Sequence, residues 1–321
     1  MLSYAPHNGF ADQMYQLELA RALANHTGRA LVLPPLLRHF DAYVMQANHK
    51  LGWLRLHRPS VAEFLDSSAL RVPIVDHGHQ MRKLPPCDNG TLPGGRGRWP
   101  LCVSQVEPPI STSQMEAILD GGPRTHEPAL LHFSSMTYNV AALKWARWSR
   151  CWPARLVRDP CWLQLRAARI AEVASAMPPG LIAVHVRCSK EAGAKADQAW
   201  RRTLERGLLH GSYASSVADG TRTVYIASDN SSEVYPFVRQ LLPAGRLVSG
   251  MDREFASQTP LQAFDGHDKL LFRDILVASA ASHFIPSPQS GLSNLISGLR
   301  RCASQHKRRD STVDMGYTSW C

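Results

Sequence analysis

Lysine is scarce in this chain of 321 residues, which has seven lysines against 29 arginines among its 36 basic residues. The basic residues are scattered, apart from Lys307-Arg308-Arg309, and they form no stripe interleaved with aromatic residues. Proteins that bind single-stranded nucleic acid usually carry such a stripe, so we expect no nucleic-acid partner. The net charge of +10 suits an anionic partner such as a nucleoside diphosphate. A coding bias toward arginine explains the charge equally well.

The chain also has no apolar run long enough to span a bilayer, and it shows no signal-peptide pattern. A hydrophobic content of 44% with 19% charged residues is typical of globular proteins. The length suits two domains of ordinary size or one large α/β domain. Because site-like sequence begins already near Gly9, we expect a leader or a membrane anchor upstream of this chain.

Paired cysteine and histidine spacings of the kind that bind zinc are missing. Asp76-His77-Gly78-His79 and the nearby Cys87 have suitable residue types but not the usual spacing. We therefore interpret this segment as a surface loop and predict no metal site. Asp274, which follows Arg273 in a predicted helix, is interpreted as one half of a structural pair.

Seven cysteines and three glycosylation sequons bear on the compartment. Cys87 with Cys102, and Cys151 with Cys161, could close disulfides, and an odd thiol remains. The sequons begin at Asn25, Asn89 and Asn230. About one sequon is expected by chance among seven asparagines, so three favour the lumen of the endoplasmic reticulum or Golgi. A cytosolic chain with reduced thiols stays open.

The first half of the chain is irregular after its opening forty residues. Apolar residues at helical spacing predict a helix over 12–24, with Gly28 as its stop and a buried strand over 30–33. The segment 85–109 is rich in proline, glycine and arginine, and it is typical of a surface insertion.

The second half alternates strands with helices. Predicted strands cover 181–187, 223–227, 247–248 and 283–285. Predicted helices cover 163–177, 231–242 with Ser231 as its cap, 269–281 and 290–301, and the stretch 197–217 is partly helical. This alternation predicts βαβ units and a parallel sheet. We place the domain boundary at Pro178-Pro179-Gly180 or slightly upstream, and we take the domains as 1–178 and 179–321.

Polar residues end each clear strand of the second half. These residues are His185 and Arg187, then Ser228 and Asp229, then Ser287, Ser290 and Ser293. Ligands of open α/β sheets bind at the carboxyl ends of the strands, so these side chains should share one crevice. The arginine offers a charged fork for phosphate or carboxylate oxygens. An ion pair with a nearby Asp or Glu is the alternative role for Arg187.

Four segments in order resemble the GDP-fucose-dependent fucosyltransferases, the superfamily of protein O-fucosyltransferases and α1,6- and α1,2-fucosyltransferases. Gly9-Phe10-Ala11-Asp12-Gln13 resembles the family's Gly-Phe-Gly-Asn-Gln opening, and His185-Val186-Arg187 resembles its His-x-Arg motif. Tyr225-Ile226-Ala227-Ser228-Asp229 is similar to Tyr-Ile-Ala-Thr-Asp. Ser290-Gly291-Leu292-Ser293 stands where the family has Ser-Ser-Phe-Ser.

The resemblance implies a GT-B fold, in which two Rossmann-like, doubly wound domains face each other across a cleft. It implies inverting transfer of fucose from GDP-fucose, the donor substrate, to a hydroxyl acceptor such as Ser or Thr of a protein, with no cofactor and no metal. Arg187 would bind the β-phosphate and stabilise the departing GDP, and His185 would lie against the nucleotide or sugar.

The resemblance also implies the rest of the donor site. Asp229, next to Ser228, would hydrogen-bond the guanine or ribose. The Ser290–Ser293 turn, with Gly291 and Leu292, would contact the diphosphate. The loop formed by Gly9, Phe10, Ala11 and Gln13 would close over the donor, and His7 and Asp12 are both candidates for the general base.

Two other functions stay open from the sequence. The chain could be a catalytically inactive relative that binds a nucleotide sugar or a glycan. It could also be a GT-B transferase that uses another sugar nucleotide.

Overall fold

The structure is a computed structural model that describes residues 1–6, 9–36, 60–76, 103–106, 130–133, 163–188, 193–210, 214–242, 244–259, 261, 266–287 and 290–304. The chain divides into two units, of which the first extends to Trp162 and the second runs from Leu163 to Tyr317. Each unit contains a parallel sheet, which confirms the predicted α/β class. None of the described helices is long and apolar enough to cross a membrane.

The first unit is built on a five-stranded parallel sheet of order β3-β2-β1-β5-β4. Its strands are β1 (Leu2–Tyr4), β2 (Leu31–Leu33), β3 (Ile74–Asp76), β4 (Val103–Val106) and β5 (Leu130–Phe133). Two short 3-10 helices, Val61–Glu63 and Ser67–Leu70, precede β3. The strands β1 and β2 are fully buried and mostly apolar, as expected of strands covered on both faces.

Helix α1 (Phe10–His26) connects β1 to β2 and packs against both strands. It confirms the helix predicted from the apolar spacing. Gly28 adopts a left-handed φ of +64° just after the helix, and the Arg29 nitrogen donates to the Ala24 carbonyl oxygen at 2.9 Å. This is the geometry of a glycine-terminated helix, because glycine reaches positive φ without a Cβ clash.

The second unit contains a four-stranded parallel sheet of order β8-β7-β6-β9. Its strands are β6 (Ile182–Val186), β7 (Thr223–Ser228), β8 (Arg246–Ser249) and β9 (His283–Ile285). Its helices are α2 (Ala167–Ala174), α3 (Gly193–His210), α4 (Ala214–Ala218), α5 (Ser231–Leu241), α6 (Arg253–Gln258), α7 (Gly266–Ala280) and α8 (Gly291–Ser304). The chain leaves β6 toward β7 and β8 and later crosses to β9 on the other side of β6.

Helices cover both faces of this second sheet. One core joins alternate residues of β6 and β7, such as Val184 and Ile226, to α3, α4 and α5. Helix α7 packs on β6 and β7, and its residues Ile275 and Leu276 are fully buried. The result is a three-layer α/β/α arrangement, which puts the functional edge at the strand ends rather than on a face.

A polar group is buried beside this sheet. Asp274 of α7 accepts a hydrogen bond from the Tyr225 hydroxyl. The neighbouring Arg273 donates to the carbonyl oxygens of Gly250, at 2.7 Å, and Thr259, at 2.9 Å. Arg273 therefore fixes the segment after β8. The hydrogen bond between Asp274 and Tyr225 agrees with the prediction that Asp274 belongs to a structural pair.

Element ends differ from the prediction in several places. Helix α2 is shorter than the predicted 163–177, and α6, β1, β3, β4 and β5 have no counterpart among the predicted elements. Asn230, not Ser231, occupies the N-cap of α5. Helix α2 packs on α7 and so belongs to the second unit, although it precedes Pro178-Pro179-Gly180. The functional division of the chain at residue 178 stays a prediction.

Candidate functional site

The candidate site lies at the carboxyl edge of the second sheet, where β6 and β9 are neighbours. The strand order reverses between them, because the chain runs from β6 to β7 and β8 on one side and then crosses to β9 on the other side of β6. Such a reversal is a topological switch point, where open α/β sheets bind ligands. Pairing with β9 stops at Val184 with Ile285, and pairing with β7 stops at Val186 with Ser228. The residues that follow are therefore released from the ladder at one edge.

His185 is the buried member of this edge, with 7% of its surface exposed. Its Nδ1 lies 2.7 Å from Oγ of Ser293. Ser293 Oγ already accepts a hydrogen bond from the Ser287 nitrogen at 2.8 Å. Because a hydroxyl oxygen can accept two hydrogen bonds or donate one, the direction of the bond between Ser293 and His185 depends on the tautomer of the imidazole.

The charge state of His185 follows from its surroundings. Burial lowers its pKa to about 4; the negative charge of Asp229 opposes this shift, and the positive charge of Arg187 adds to it. The imidazole is therefore neutral at neutral pH. At this edge of the sheet it can therefore offer a hydrogen bond but no positive charge.

Arg187 is held by its backbone while its side chain is exposed. The Arg187 nitrogen donates to Oγ of Ser287 at 3.2 Å. In the part of the chain that the structure describes, the guanidinium makes no hydrogen bond and no ion pair. The alternative role, an ion pair with a carboxylate, is therefore absent from this part of the chain, and the fork is available to an anion.

Asp229 follows β7 and faces the same segment. Its Oδ1 accepts a hydrogen bond from the Cys188 nitrogen at 2.9 Å. Ser228 Oγ accepts from the Asn230 nitrogen at 3.1 Å. Asp229 is exposed, and its second carboxylate oxygen has no hydrogen-bond partner among the described residues. That oxygen is an acceptor for an N–H or O–H group of a ligand.

The turn after β9 leads into α8. Ser290 is buried just before this helix, and its Oγ accepts from the Ser293 nitrogen at 3.4 Å. Gly291 and Leu292, the first two residues of α8, have backbone amides that intrahelical bonds leave open. The positive end of the helix dipole lies at this point.

The structure thus brings together His185, Arg187, Ser228, Asp229, Ser290 and Ser293 at one edge, as the sequence predicted for the strand ends. Ser287, which the sequence also predicted at this edge, takes part through its hydrogen bond with the Arg187 nitrogen. The backbone of Cys188 is a contributor that the sequence did not predict, and the buried Cys188 thiol lies outside any disulfide. The sheet register, which sets Val186 opposite Ser228, is the signal that could have revealed the contact of Asp229 with Cys188.

The other predicted group belongs to the first unit. Gly9 is the N-cap of α1, and its carbonyl oxygen accepts from the Gln13 nitrogen at 3.0 Å. Phe10 is buried and packs edge-to-face on Phe64, with ring centroids 5.6 Å apart. His7 lies outside the described residues.

Ala11 and Asp12 lie in the first turn of α1. The backbone at Ala11 is helical, so its Cβ is accommodated without positive φ. Asp12 is exposed and its negative charge suits the helix N-terminus. Asp12 therefore has a structural role that is independent of any part in proton transfer.

Known proteins share the fold of this chain but not its sequence. No protein-family model and no curated protein sequence matches it. A crystal structure of POFUT1 in complex with GDP aligns over 95% of this chain and 96% of its own, with a TM-score of 0.51 and 11% identity. A POFUT1 structure in complex with GDP-fucose aligns over 93% and 94%, with a TM-score of 0.50 and 13% identity.

NodZ alpha-1,6-fucosyltransferase, soaked with GDP-fucose, aligns over 93% of this chain and 92% of its own at 16% identity, with a TM-score of 0.47. The fold assignment rests on the two POFUT1 structures, since their TM-scores reach 0.5. The chain has the fold of POFUT1. This shared fold agrees with the fold that the four sequence motifs imply.

The sequence predicts no metal site, and this stays a prediction. Within the described ranges, no group of three or more His, Cys, Asp or Glu side chains is arranged to hold a metal ion. His77, His79 and Cys87 lie outside those ranges, as do both predicted disulfide pairs. Cys302 of α8 is disulfide-bonded.

The arrangement at this edge of the second sheet has a clear chemical character. It combines an exposed guanidinium, a helix N-terminus, a neutral imidazole and one open carboxylate oxygen. The first two favour the oxygens of a phosphate, and the carboxylate favours a hydrogen-bond donor. A nucleoside diphosphate presents both kinds of group.

Proposed function

We propose that this protein is a GT-B fucosyltransferase that takes fucose from GDP-fucose. The observation that carries the proposal is the exposed guanidinium of Arg187 at the β6/β9 switch point, without an ion pair in the described part of the chain. The ordered sequence motifs and the shared fold support GDP-fucose over other donors. Two Rossmann-like domains, 1–178 and 179–321, would face each other across the donor.

The donor would bind mainly to the second domain. Arg187 and the N-terminus of α8, at Gly291 and Leu292, would hold the diphosphate. Ser290 would contribute through its hydroxyl proton, because its Oγ only accepts from the Ser293 nitrogen, whereas its backbone nitrogen already donates to the Ser287 carbonyl oxygen. The open oxygen of Asp229 would accept from the guanine or the ribose, and the Gly9–Gln13 loop would cover the donor.

The reaction would be a single displacement with inversion at the sugar. The acceptor oxygen attacks C1 of fucose from the face opposite the diphosphate, and the bond between C1 and the β-phosphate oxygen breaks. The acceptor proton passes to a general base, for which His7 and Asp12 are both candidates. Arg187 stabilises the charge that develops on GDP, a role that a metal ion fills in other transferases. A Ser or Thr hydroxyl of a protein is the proposed acceptor.

The proposed compartment is the lumen of the endoplasmic reticulum or Golgi. The disulfide of Cys302 and the three sequons support an oxidising lumen.

The experiment is isothermal titration calorimetry with GDP, UDP and ADP, followed by an assay of GDP release from GDP-fucose. Wild type should prefer GDP. Arg187→Ala should weaken GDP binding roughly tenfold to a hundredfold, the effect of losing charge-assisted hydrogen bonds. It should abolish GDP release while the fold stays intact. Arg246→Ala is the matched control, because Arg246 is an exposed arginine at the amino end of β8, the opposite edge of the same sheet.

Each result discriminates among the candidate functions. GDP binding without turnover would favour an inactive nucleotide-sugar-binding relative. A preference for UDP or ADP would favour a transferase with another donor. Near-normal turnover by Arg187→Ala would refute the proposed role of this residue.

A further inference from the structure

Two backbone amides flank the Cα atom of Arg187, and each is bound by a side chain from a different neighbouring strand. The Arg187 nitrogen donates to Ser287 Oγ at 3.2 Å, from the β9 side. The Cys188 nitrogen donates to Asp229 Oδ1 at 2.9 Å, from the β7 side. The residue that carries the exposed guanidinium is therefore held from both sides.

These contacts take over where the sheet ladder ends. The last backbone pairs of β6 are Val184 with Ile285 and Val186 with Ser228. Beyond them, the amides of residues 187 and 188 donate to side chains instead of strand carbonyl groups. Side-chain acceptors from the flanking strand ends replace the ladder, and they keep the backbone in line for two more residues.

Ser287 is itself fixed by a closed set of hydrogen bonds. Its nitrogen donates to Ser293 Oγ at 2.8 Å, and its carbonyl oxygen accepts from the Ser290 nitrogen at 3.4 Å. Ser293 in turn shares a hydrogen bond with His185, two residues before Arg187 on the same strand. Ser287, Ser293 and His185 are all buried, with exposed fractions of 6%, 0% and 7%. The circuit is shielded from water, so its bonds persist.

We propose that Ser287 and Asp229 are positioning residues for Arg187, and that Ser293 positions Ser287. The inference rests on the proposed function, because it makes Arg187 the residue that contacts the diphosphate. When an arginine binds an anion, its side chain and its backbone both lose conformational entropy, and this loss weakens binding. A backbone that is already held from both sides has less entropy left to lose. Ser287 and Asp229 thus act through Arg187.

The test is a double-mutant cycle read by GDP affinity. Ser287→Ala and Asp229→Ala should each weaken GDP binding about tenfold in the wild-type background. In the Arg187→Ala background, the same substitutions should change the affinity less than about twofold, because the residue they position is gone. A merely structural role, or a direct contact with GDP, predicts the same loss in both backgrounds and would overturn the proposal.

Asp229→Asn separates the two functions of the carboxylate. The amide oxygen of an asparagine can still accept from the Cys188 nitrogen. If Asp229 positions Arg187, a double-mutant cycle that combines Asp229→Asn with Arg187→Ala should therefore show that the coupling between residue 229 and Arg187 in GDP affinity is kept. Equal coupling losses in Asp229→Asn and Asp229→Ala would refute the positioning role of Asp229.

Matched controls exist for both side chains. Asp219 also accepts from a backbone nitrogen at 2.9 Å, that of Thr221, and Ser257 Oγ donates to the Glu254 carbonyl oxygen within α6. Asp219→Ala and Ser257→Ala should leave GDP affinity unchanged. Circular dichroism checks the folding of each variant. If Ser287→Ala fails to fold, Ser293→Ala replaces it in the cycle, because it should show the same coupling to Arg187. If the wild type does not bind GDP, the proposed function is refuted. If the wild type binds GDP but each substitution causes the same loss of affinity with and without Arg187→Ala, only this inference is refuted.

Discussion

The hydroxyl of Tyr225 donates a 2.5 Å hydrogen bond to Oδ1 of Asp274 in the interior of the second unit. Burial raises the pKa of the Asp274 carboxyl to about 7, although the Tyr225 bond and the charge of Arg273 both oppose the shift. Burial, together with the charge of Asp274, also raises the pKa of Tyr225 well above its usual value. Asp274 therefore changes its protonation state close to neutral pH, where an ordinary aspartate is already ionised.

This titration predicts a pH-dependent stability. Between the unfolded pKa near 4 and the folded pKa of about 7, Asp274 is protonated in the folded state but ionised in the unfolded state. The contribution of Asp274 to the free energy of unfolding therefore falls as the pH rises through this window. Below this window the contribution is fully present. Asp274→Asn should remove the effect, since an amide keeps an acceptor for Tyr225 but does not titrate.

The measurement is urea unfolding at about pH 5 and about pH 6.5, two points inside this window. The slope of the unfolding free energy against pH should differ between wild type and Asp274→Asn by at most about 1.4 kcal/mol per pH unit. Identical slopes would contradict the raised pKa of Asp274.

Two buried histidines should act in the opposite direction. Burial lowers the pKa of His132 to about 4, as it does for His185. His132 lies within hydrogen-bond distance of Ser3, since 2.8 Å separates Nδ1 from the serine Oγ. Between pH 6.5 and about 4 the unfolded state binds more protons, so the stability from these neutral imidazoles is lost as the pH falls.

Nuclear magnetic resonance titration of the imidazole signals checks this expectation in the folded protein. Two signals should keep the neutral form down to about pH 5, one unit above the midpoints. His132→Gln and His185→Gln should each delete one of them. A midpoint near 6.5 for either residue would show that its imidazole is solvated.

Gly250 should not tolerate a side chain. A Cβ atom at this position would lie 2.6 Å from the Tyr225 hydroxyl, 2.6 Å from Cδ1 of Leu270 and 2.8 Å from Oδ1 of Asp274. Gly250→Ala should therefore destabilise the protein by about 1–3 kcal/mol, the usual cost of overpacking.

Gly298 provides the matched control, because a Cβ there would meet no atom of the described residues within 4 Å, apart from the backbone of its own helix. Gly298 lies inside α8, so Gly298→Ala should stabilise the protein by about 1 kcal/mol through helix propensity. Denaturant unfolding of both variants measures the two effects. Equal stability of Gly250→Ala and wild type would mean that the segment after β8 moves away without cost.

The elements that could be predicted are those with strong local patterns. The apolar runs of β6, β7 and β9 and the periodic α7 predict elements close to the observed bounds. Strands β4 and β5 escape prediction because four residues with polar members, such as Ser104 and His132, give no local signal. Helix α6 has six residues, which is too short to show the apolar periodicity of a helix. Asn230 rather than Ser231 is the N-cap of α5, because the backbone of Asn230 is not helical.

The composition of the site was predictable, but its hydrogen bonds were not. Polar residues at strand ends reveal which side chains share an edge, because parallel strands end together. The contacts of Ser287 and Asp229 go to backbone nitrogens, which every residue type offers as donors except proline, so residue types do not reveal them. They follow from the sheet register, which depends on tertiary pairing.

The Ser287 and Asp229 contacts also connect distant parts of the chain, since they span 100 and 41 residues to their partners in the Arg187 segment. Contacts of such high sequence separation form late and together, because loop closure costs entropy before they add any stability. A fragment that ends before β9 would still contain Arg187 but would lack the acceptor that holds its amide. Nucleotide binding should therefore track cooperative folding of the whole second unit, and a bound ligand should raise the melting temperature of that unit as one transition.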